Sequence, residues 1–510
     1  MSVGFEQAGF DIALAVDRDG YHSATHERNF PYGATLCRSI SDLTLEQIYE
    51  SLGGVREVDL VFGGPPCQGF STMGQRDALD PRNSLVGQFV RIIREVRPKA
   101  FVMENVPGML AGSTRAILDD ALAQFESSGY RITRPVRVLD ASAFGVPQKR
   151  KRLIVLGIRS DCGSEIVYPG PPIQEALAPP TVWEAIADLP KVDEREELFR
   201  VNGTPYDSEP LSDYARIMRG RAVNAGDFSH PRVWDSTRCT GCLRVRHAPH
   251  AVALYAATPN GTMVPSHKLP KLDPAGIAPT LRAGSDSSHG SYTAPRPIHP
   301  FKPRCITVRE AARLHGFPDW FGFYPLKWHG YRQIGNAVCP PLAHALGAAI
   351  LRALRIRPVK PRRAIELADE FHLPPERPRS LKRIPQILHF PPVIEKLFLD
   401  RFDEANGRLT APKFSFIDVQ KAIASTGVAL TWVRSDTFLS EIARSRNVLR
   451  LLDPCLRRGY TIQKLGNGKA IGQFVPLGHP NGLEIKSPSK HSVAKSPRKQ
   501  GVASGQKTLF

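Results

Sequence analysis

Four short apolar runs, at 12–16, 60–62, 100–103 and 153–158, are separated by longer stretches with helical spacing such as 84–96. Runs this short suit strands, and strands alternating with helices fold as an α/β sheet of parallel strands with helical cover. The pattern stops after Ile158. Proline and glycine gather at 168–172 and 178–181, and few convincing helices follow until Thr307, so a second, irregular domain is expected there. Helical spacing returns at 308–314 and 342–354, after which 355–363 reads as a basic linker into a third region. A chain of 510 residues has room for two or three such domains. The expected boundaries are 1–164 with 301–355 for the sheet domain, 165–300 for the irregular one, 364–485 for an accessory domain and 486–510 for a tail. No internal repeat is visible.

Charge narrows the partners. Lysine and arginine outnumber aspartate and glutamate 68 to 49, a net charge of +19, and such an excess favours a polyanion, nucleic acid above all, through counterion release. The 8 cysteines are scattered without a dense framework, which fits reduced thiols in a cytosol. No apolar run approaches the roughly 20 residues that cross a bilayer, and the first ten residues carry no signal pattern. A cytoplasmic protein with no membrane partner is expected.

One cysteine stands apart. Residues 58–62 form a buried-type strand that runs directly into Gly63, Gly64, Pro65, Pro66 and Cys67. In open α/β sheets the ligand crevice lies beyond the carboxyl ends of the strands, so a stiff loop here carries a thiol to that edge. A thiolate is a strong nucleophile, and the prolines reduce the entropy lost in aiming it. A buried packing cysteine is the plain alternative, and the flanking glycines and prolines argue against it.

The loop Gly64-Pro65-Pro66-Cys67-Gln68-Gly69-Phe70-Ser71 resembles the catalytic loop of the cytosine-C5 DNA methyltransferases. Four further segments resemble that family's motifs and follow in its order. Glu104-Asn105-Val106 ends an apolar run. Gln148-Lys149-Arg150-Lys151-Arg152 is similar to a Gln-x-Arg-x-Arg block. Residues 309–318 resemble the helix before the last motif, and residues 331–338 that motif. The resemblance spans about 1–350. It implies a Rossmann-like S-adenosylmethionine-dependent methyltransferase domain, with an irregular target-recognition domain at 165–300 and a small α+β extension at the carboxyl end. The implied activity is DNA (cytosine-5-)-methyltransferase, acting on a cytosine flipped out of duplex DNA, in a restriction-modification system or a stand-alone bacterial or phage enzyme. A cognate restriction endonuclease is then a partner.

The resemblance also assigns roles. Cytosine C5 is too weak a nucleophile to take a methyl group until a thiolate adds at C6, and Cys67 is cast as that thiolate. Glu104 neutralises charge at N3, which implies a raised pKa or a shared proton. Arg152 holds the C2 oxygen, and Arg150 supports the loop or the backbone. Asp17 binds ribose hydroxyls of S-adenosylmethionine, Asp42 its adenine amine, and Pro65, Asn336 and Val338 the rest of the cofactor. Gln68, Ser71, Gln148, Thr280, Arg282 and Gln333 fall on the DNA side. Helix capping is the alternative for Asp42. Cys239, Cys242, His247 and His250 could bind metal, but the spacing is too short for a zinc finger, and no metal is expected.

Relatives begin with an apolar strand and a Phe-x-Gly-x-Gly-Gly turn before the helix that resembles residues 4–9, so that strand and glycine loop are missing from the sequence as given. A start placed at an internal methionine is the expected cause. Without those glycines the chain is expected to bind cofactor poorly and to expose a sheet edge. Transfer-RNA cytosine methylation is one alternative activity. A catalytically impaired DNA-binding protein is another, and intact Cys67, Glu104 and Arg152 argue against it. In the extension, 416–424 and 438–452 have helical spacing and 460–471 reads as a hairpin, which suggests a winged helix. The tail 486–510 lacks acidic residues and is expected to be disordered. It ends in Gln506, Leu509 and Phe510, which resemble a sliding-clamp docking peptide.

Overall fold

A computed structural model describes residues 1–66, 85–170, 178–222, 224, 226–265, 269–284 and 295–367, and shorter pieces between 397 and 476. Two units result, Met1–Pro378 and Arg379–Phe510. In the first, α1 (Ser2–Ala8), β1 (Leu14–Val16), α2 (Gly20–Asn29), β2 (Ala34–Leu36), α3 (Leu45–Ser51), β3 (Leu60–Gly63), α4 (Leu85–Val96), β4 (Ala100–Asn105) and α5 (Ser113–Ser127) alternate as the apolar pattern predicts. Then come β5 (Tyr130–Ile132), β6 (Arg137–Asp140) and β7 (Lys151–Arg159).

β4 is the central strand, buried along its whole length. Alternation splits it between two cores. Phe101 and Met103, with Leu153 and Val155 of β7, pack under Phe89, Val90 and Ile93 of α4 and Leu118, Leu122 and Phe125 of α5. Ala100 and Val102, with Ile154, Leu156 and Ile158, face a larger core that includes α1. Register makes one glycine necessary: Gly157 lies opposite Phe101, and a Cβ on it would sit 2.2 Å from that ring.

Two expectations need correction. The run at 153–158 is a strand, but β7 lies antiparallel to β4, β5 and β6, so the sheet is mixed. Only about ten residues and no crossover helix separate β6 from β7, and a parallel pair needs such a crossover. The sheet also comes in two pieces, β1-β2 and β3-β4-β7-β5. Among the described residues no strand joins β1 to β3, although Leu14, Val16 and Val61 pack in one cluster.

The irregular region holds α6 (Val182–Ile186), β8 (Gly203–Pro205), α7 (Asp213–Met218), β9 (Arg232–Val233), β10 (Arg238–Thr240) and α8 (Pro249–Ala257). The chain then returns through α9 (Val308–Leu314), α10 (Lys327–Asn336) and α11 (Pro340–Leu354). Val182, Ile186, Leu189, Leu198, Cys239 and Cys242 belong to the same core as α9 and α11. Buried ion pairs add to this. Arg313 of α9 is fully enclosed and meets Asp188 at 3.0 Å and Asp319 at 2.6 Å, and Arg304 meets Glu310 at 2.8 Å and Asp193 at 2.9 Å. The stretch 327–354, α10 followed by α11, alone among the described helical segments has the length and hydropathy to cross a membrane, and 61% of its most apolar part is buried inside the protein.

The stretch 355–363 is no free linker. Pro358 packs on Gly9, the left-handed cap of α1, His230 meets the Arg363 carbonyl at 3.1 Å, and β11 (Ile365–Glu366) pairs with β9. In the second unit β12 (Phe402–Asp403) pairs with β13 (Arg408–Leu409), while β14 (Lys413–Ser415), β15 (Tyr460–Lys464) and β16 (Ala470–Pro476) form an antiparallel sheet. β15 and β16 are the arms of the expected hairpin. Its glycine-bearing turn, the 438–452 helix and the tail with Gln506 and Phe510 lie outside the described residues.

Candidate active site

Glu104 is the penultimate residue of β4, where the burial of the central strand carries a carboxyl group into the protein. The residue is 8% exposed, and Arg152 at the start of β7 forms an ion pair with it, Nε lying 2.6 Å from Oε1. Burial pushes the Glu104 carboxyl above the usual carboxylate range, and the charges of Arg152 and Arg150 oppose that rise. A carboxyl group held this way can give or share a proton where an ordinary surface glutamate is ionised.

The loop after β3 is fastened to the same point. Asn105 donates from Nδ2 to the Pro65 carbonyl at 2.9 Å, and its Oδ1 accepts from the Val106 amide. Gly64 lies against the acid itself, since a Cβ there would stand 2.6 Å from Glu104 Oε2. With Arg152 fixing the other oxygen, that carboxylate cannot swing away freely. We expect Gly64→Ala to lower kcat on the order of 10²-fold, the cost of a misplacement near 1 Å, with little loss of stability. Steady-state kinetics beside a thermal melt checks this. Cys67, Gln68 and Ser71 lie outside the described residues.

Three other members of the expected site prove to be internal ties. Arg150 is 1% exposed and donates to the carbonyls of Leu281 at 2.9 Å, Gly335 at 2.6 Å and Ala337 at 2.9 Å. Burial pulls its pKa down to about 10, yet it stays cationic at neutral pH. It ties together the backbone at Leu281, Gly335 and Ala337. Gln148 was expected on the DNA side but is completely buried. It accepts from the Leu281 amide at 3.0 Å and reaches Leu314 O and His315 Nδ1. Because the Ala337 carbonyl can only accept, His315 carries its proton on Nε2 and takes Gln148 as donor on Nδ1. Burial holds that imidazole neutral, far below its ordinary pKa. Gln333, also expected at DNA, instead joins α10 to α2 through Tyr324 N, Tyr21 O and Thr25 Oγ1.

The remaining candidates face outward or line the strand ends. Asp17 follows β1, exposed, and accepts from Asp19 N at 2.8 Å and His22 Nδ1 at 3.2 Å. Burial of its carboxyl works against ionisation, but the hydrogen bond and charge of His22 outweigh it and keep the group anionic. Asp42 is exposed in the turn before α3. Thr44, with Gln47, caps that helix, which removes the capping alternative for Asp42. Asn336 is exposed and Val338 buried at the end of α10. Thr280 and Arg282 are exposed on either side of buried Leu281, and Thr280 Oγ1 donates to the Lys149 carbonyl at 2.6 Å. Cys239 and Cys242 lie in the core, and His247 Nε2 accepts from the Cys305 amide at 3.3 Å. Among the described residues no three His, Cys, Asp or Glu side chains gather as for a metal.

Residues 1–352 match the family profile described as C-5 cytosine-specific DNA methylase. The chain belongs to that family. It is 44% identical to the type II methyltransferase M.XorII of Xanthomonas oryzae over 371 residues, covering 72% of this chain and 86% of that protein. It is 32% identical to the type II methyltransferase M.AgeI of Thalassovita gelatinovora, over 69% of this chain and 96% of that protein. Among solved structures, an E. coli prophage-encoded protein assigned as a DNA modification methyltransferase superposes with a TM-score of 0.57 at 29% identity, over 69% of this chain and 96% of that one. This chain is accordingly a DNA cytosine-C5 methyltransferase. DNA methylation is thereby favoured over the transfer-RNA and non-catalytic readings.

Within the methylase domain, the sequence reading missed Asn105, Gly64 and His315. The first two had a signal, since an amide directly after the acid and a glycine in the approaching loop are the groups that pin and admit the loop. His315 had none, because its partners lie at Gln148 and Ala337.

Proposed function

We propose that Cys67 Sγ adds to C6 of a flipped-out cytosine while Glu104 supplies or shares the proton at N3. Arg152, already beside Glu104, holds the C2 oxygen and keeps the carboxyl aligned. S-adenosylmethionine, whose use membership of this family implies, supplies the electrophilic methyl group when bound. Asp17, Asp42 and Pro65 follow β1, β2 and β3, the edge where parallel strands hold such a ligand, and anionic Asp17 suits ribose hydroxyls. Asn336 and Val338 are assigned to the same ligand. Cys67 leaves after C5 gives up its proton, so ring and thiol are both restored. Gln68, Ser71, Thr280 and Arg282 are the proposed DNA contacts. Arg150, Gln148 and Gln333 are proposed as positioning residues only. The type II relatives support a place in a bacterial restriction-modification system, in the cytosol with its DNA.

The observation that carries this reading is the buried Glu104–Arg152 pair at 2.6 Å, with the cysteine loop fastened beside it through Asn105 and Pro65. We expect Cys67→Ala to reduce transfer of radiolabelled methyl from S-adenosylmethionine to duplex DNA by roughly 10⁴-fold or more. Equal labelling by the variant would end the proposed role, and preferential labelling of RNA would end the DNA assignment.

A further inference from the structure

One exposed cluster takes no part in the site above. Residues 238–250 contain Arg238, Arg244, Arg246, His247 and His250 and no acid. Two of these arginines share one ring: the guanidinium of Arg244 lies 4.3 Å and that of Arg246 4.0 Å from the centre of Phe199. Arg244 is held further by the Arg195 carbonyl at 3.1 Å. Arg246 is different, because its side chain is 76% exposed and its nearest acid, Glu196, is 3.9 Å away and itself 80% exposed. An exposed arginine normally samples many rotamers, whereas stacking fixes this one with its donors turned to solvent.

More positive charge surrounds it. Burial lowers the pKa of both His247 and Lys327 and the charge of Arg296 adds to it, so the three lie within electrostatic reach. Lys327 Nζ donates to the Arg244 carbonyl at 2.6 Å, which ties the cluster to the first residue of α10. Asn336 is at the other end of that helix, roughly 15 Å along its axis. The cluster thus stands well away from the residue assigned to the cofactor while fixed to the same helix.

We propose that Arg246, pre-oriented by Phe199 and flanked by Arg244, Arg296 and Lys327, is a clamp for the DNA sugar-phosphate backbone next to the target. The inference rests on the DNA reading above, and it adds a surface that does no chemistry. Glu196 is a competitor, since its carboxylate occupies the place a phosphate would take.

The test is equilibrium binding of duplex DNA by the full chain across a salt series, on a site that the wild type methylates and on an unrelated duplex. Losing one phosphate contact lowers the slope of log K against log salt by about 0.9, and affinity near 0.1 M salt by about three- to ten-fold. Arg246→Ala should do this equally on both duplexes, and Phe199→Leu should reproduce part of it. Glu196→Gln, at an exposed position that does not threaten folding, should tighten both by a few-fold. An unchanged slope for Arg246→Ala overturns the clamp, as does a loss confined to the methylated site, which would make Arg246 a base reader. Failure of the wild type to methylate any duplex would instead count against the DNA reading.

Discussion

Replacing Glu104 by glutamine should lower kcat by about 10² to 10⁴-fold, the range for a lost proton-transfer group, and should also change the shape of the pH profile. The amide keeps the length of the side chain and can still donate at N3, but it cannot protonate it. On the proposed mechanism the competent form in the wild type is the protonated one. Burial raises the Glu104 pKa above that of a free carboxyl, so activity persists to higher pH than an ordinary glutamate allows and falls as pH rises through the raised value. Ionisation of Cys67 makes the rate climb with pH, and the two together give a bell. In Glu104→Gln the descending limb should vanish and the climb remain. Single-turnover rates across pH report this directly. A variant within three-fold of wild type, or one that keeps the descending limb, excludes Glu104 as the proton source.

The second large effect concerns stability. All five N–H donors of Arg313 are engaged, by Asp188, Asp319 and the Ala185 carbonyl. Removing one member of a buried ion network typically costs about 3–5 kcal/mol. Here Arg309 remains 3.7 Å from Asp319 and Arg219 remains 3.6 Å from Asp188, so neither carboxylate is left without a cation. We therefore expect Arg313→Met to lose about 3 kcal/mol, the lower end of that range. Urea unfolding measures it. A loss under about 1 kcal/mol would show that packing in the shared core, and not the network, holds the irregular region on α9.

Both effects bear on what a sequence can disclose. The buried strand that carries Glu104 and the turn at 63–66 were legible because strand burial and glycine-proline stiffness are local properties of the chain. Gln148, Arg150 and Gln333 were placed at DNA or in catalysis because their segments resemble family motifs, and a motif does not tell which of its polar side chains is buried. Their burial is decided by carbonyls and amides more than 100 residues away for Gln148 and Arg150, and by α2 for Gln333. Spacing carries no such information. The direction of β7 was open for another reason, since an apolar run has no polarity. The short connection from β6 was the available clue. The stretch 355–363 read as a linker from its charge, yet Pro358 finds Gly9, whose missing side chain leaves room for it.

The way Arg150 is enclosed bears on exchanging the irregular region between relatives. Gln148 grips the amide of Leu281 and Arg150 its carbonyl, so this one residue is bolted to the catalytic body while Thr280 and Arg282 on either side remain exposed. A transplanted segment must therefore arrive with its own Leu281 equivalent seated in that grip, or stop short of Ala278. Ala278 is held by Pro147 and Lys149 and Thr280 by Lys149 as well, so the joint for any graft is set by the short 147–150 segment that grips 278–281.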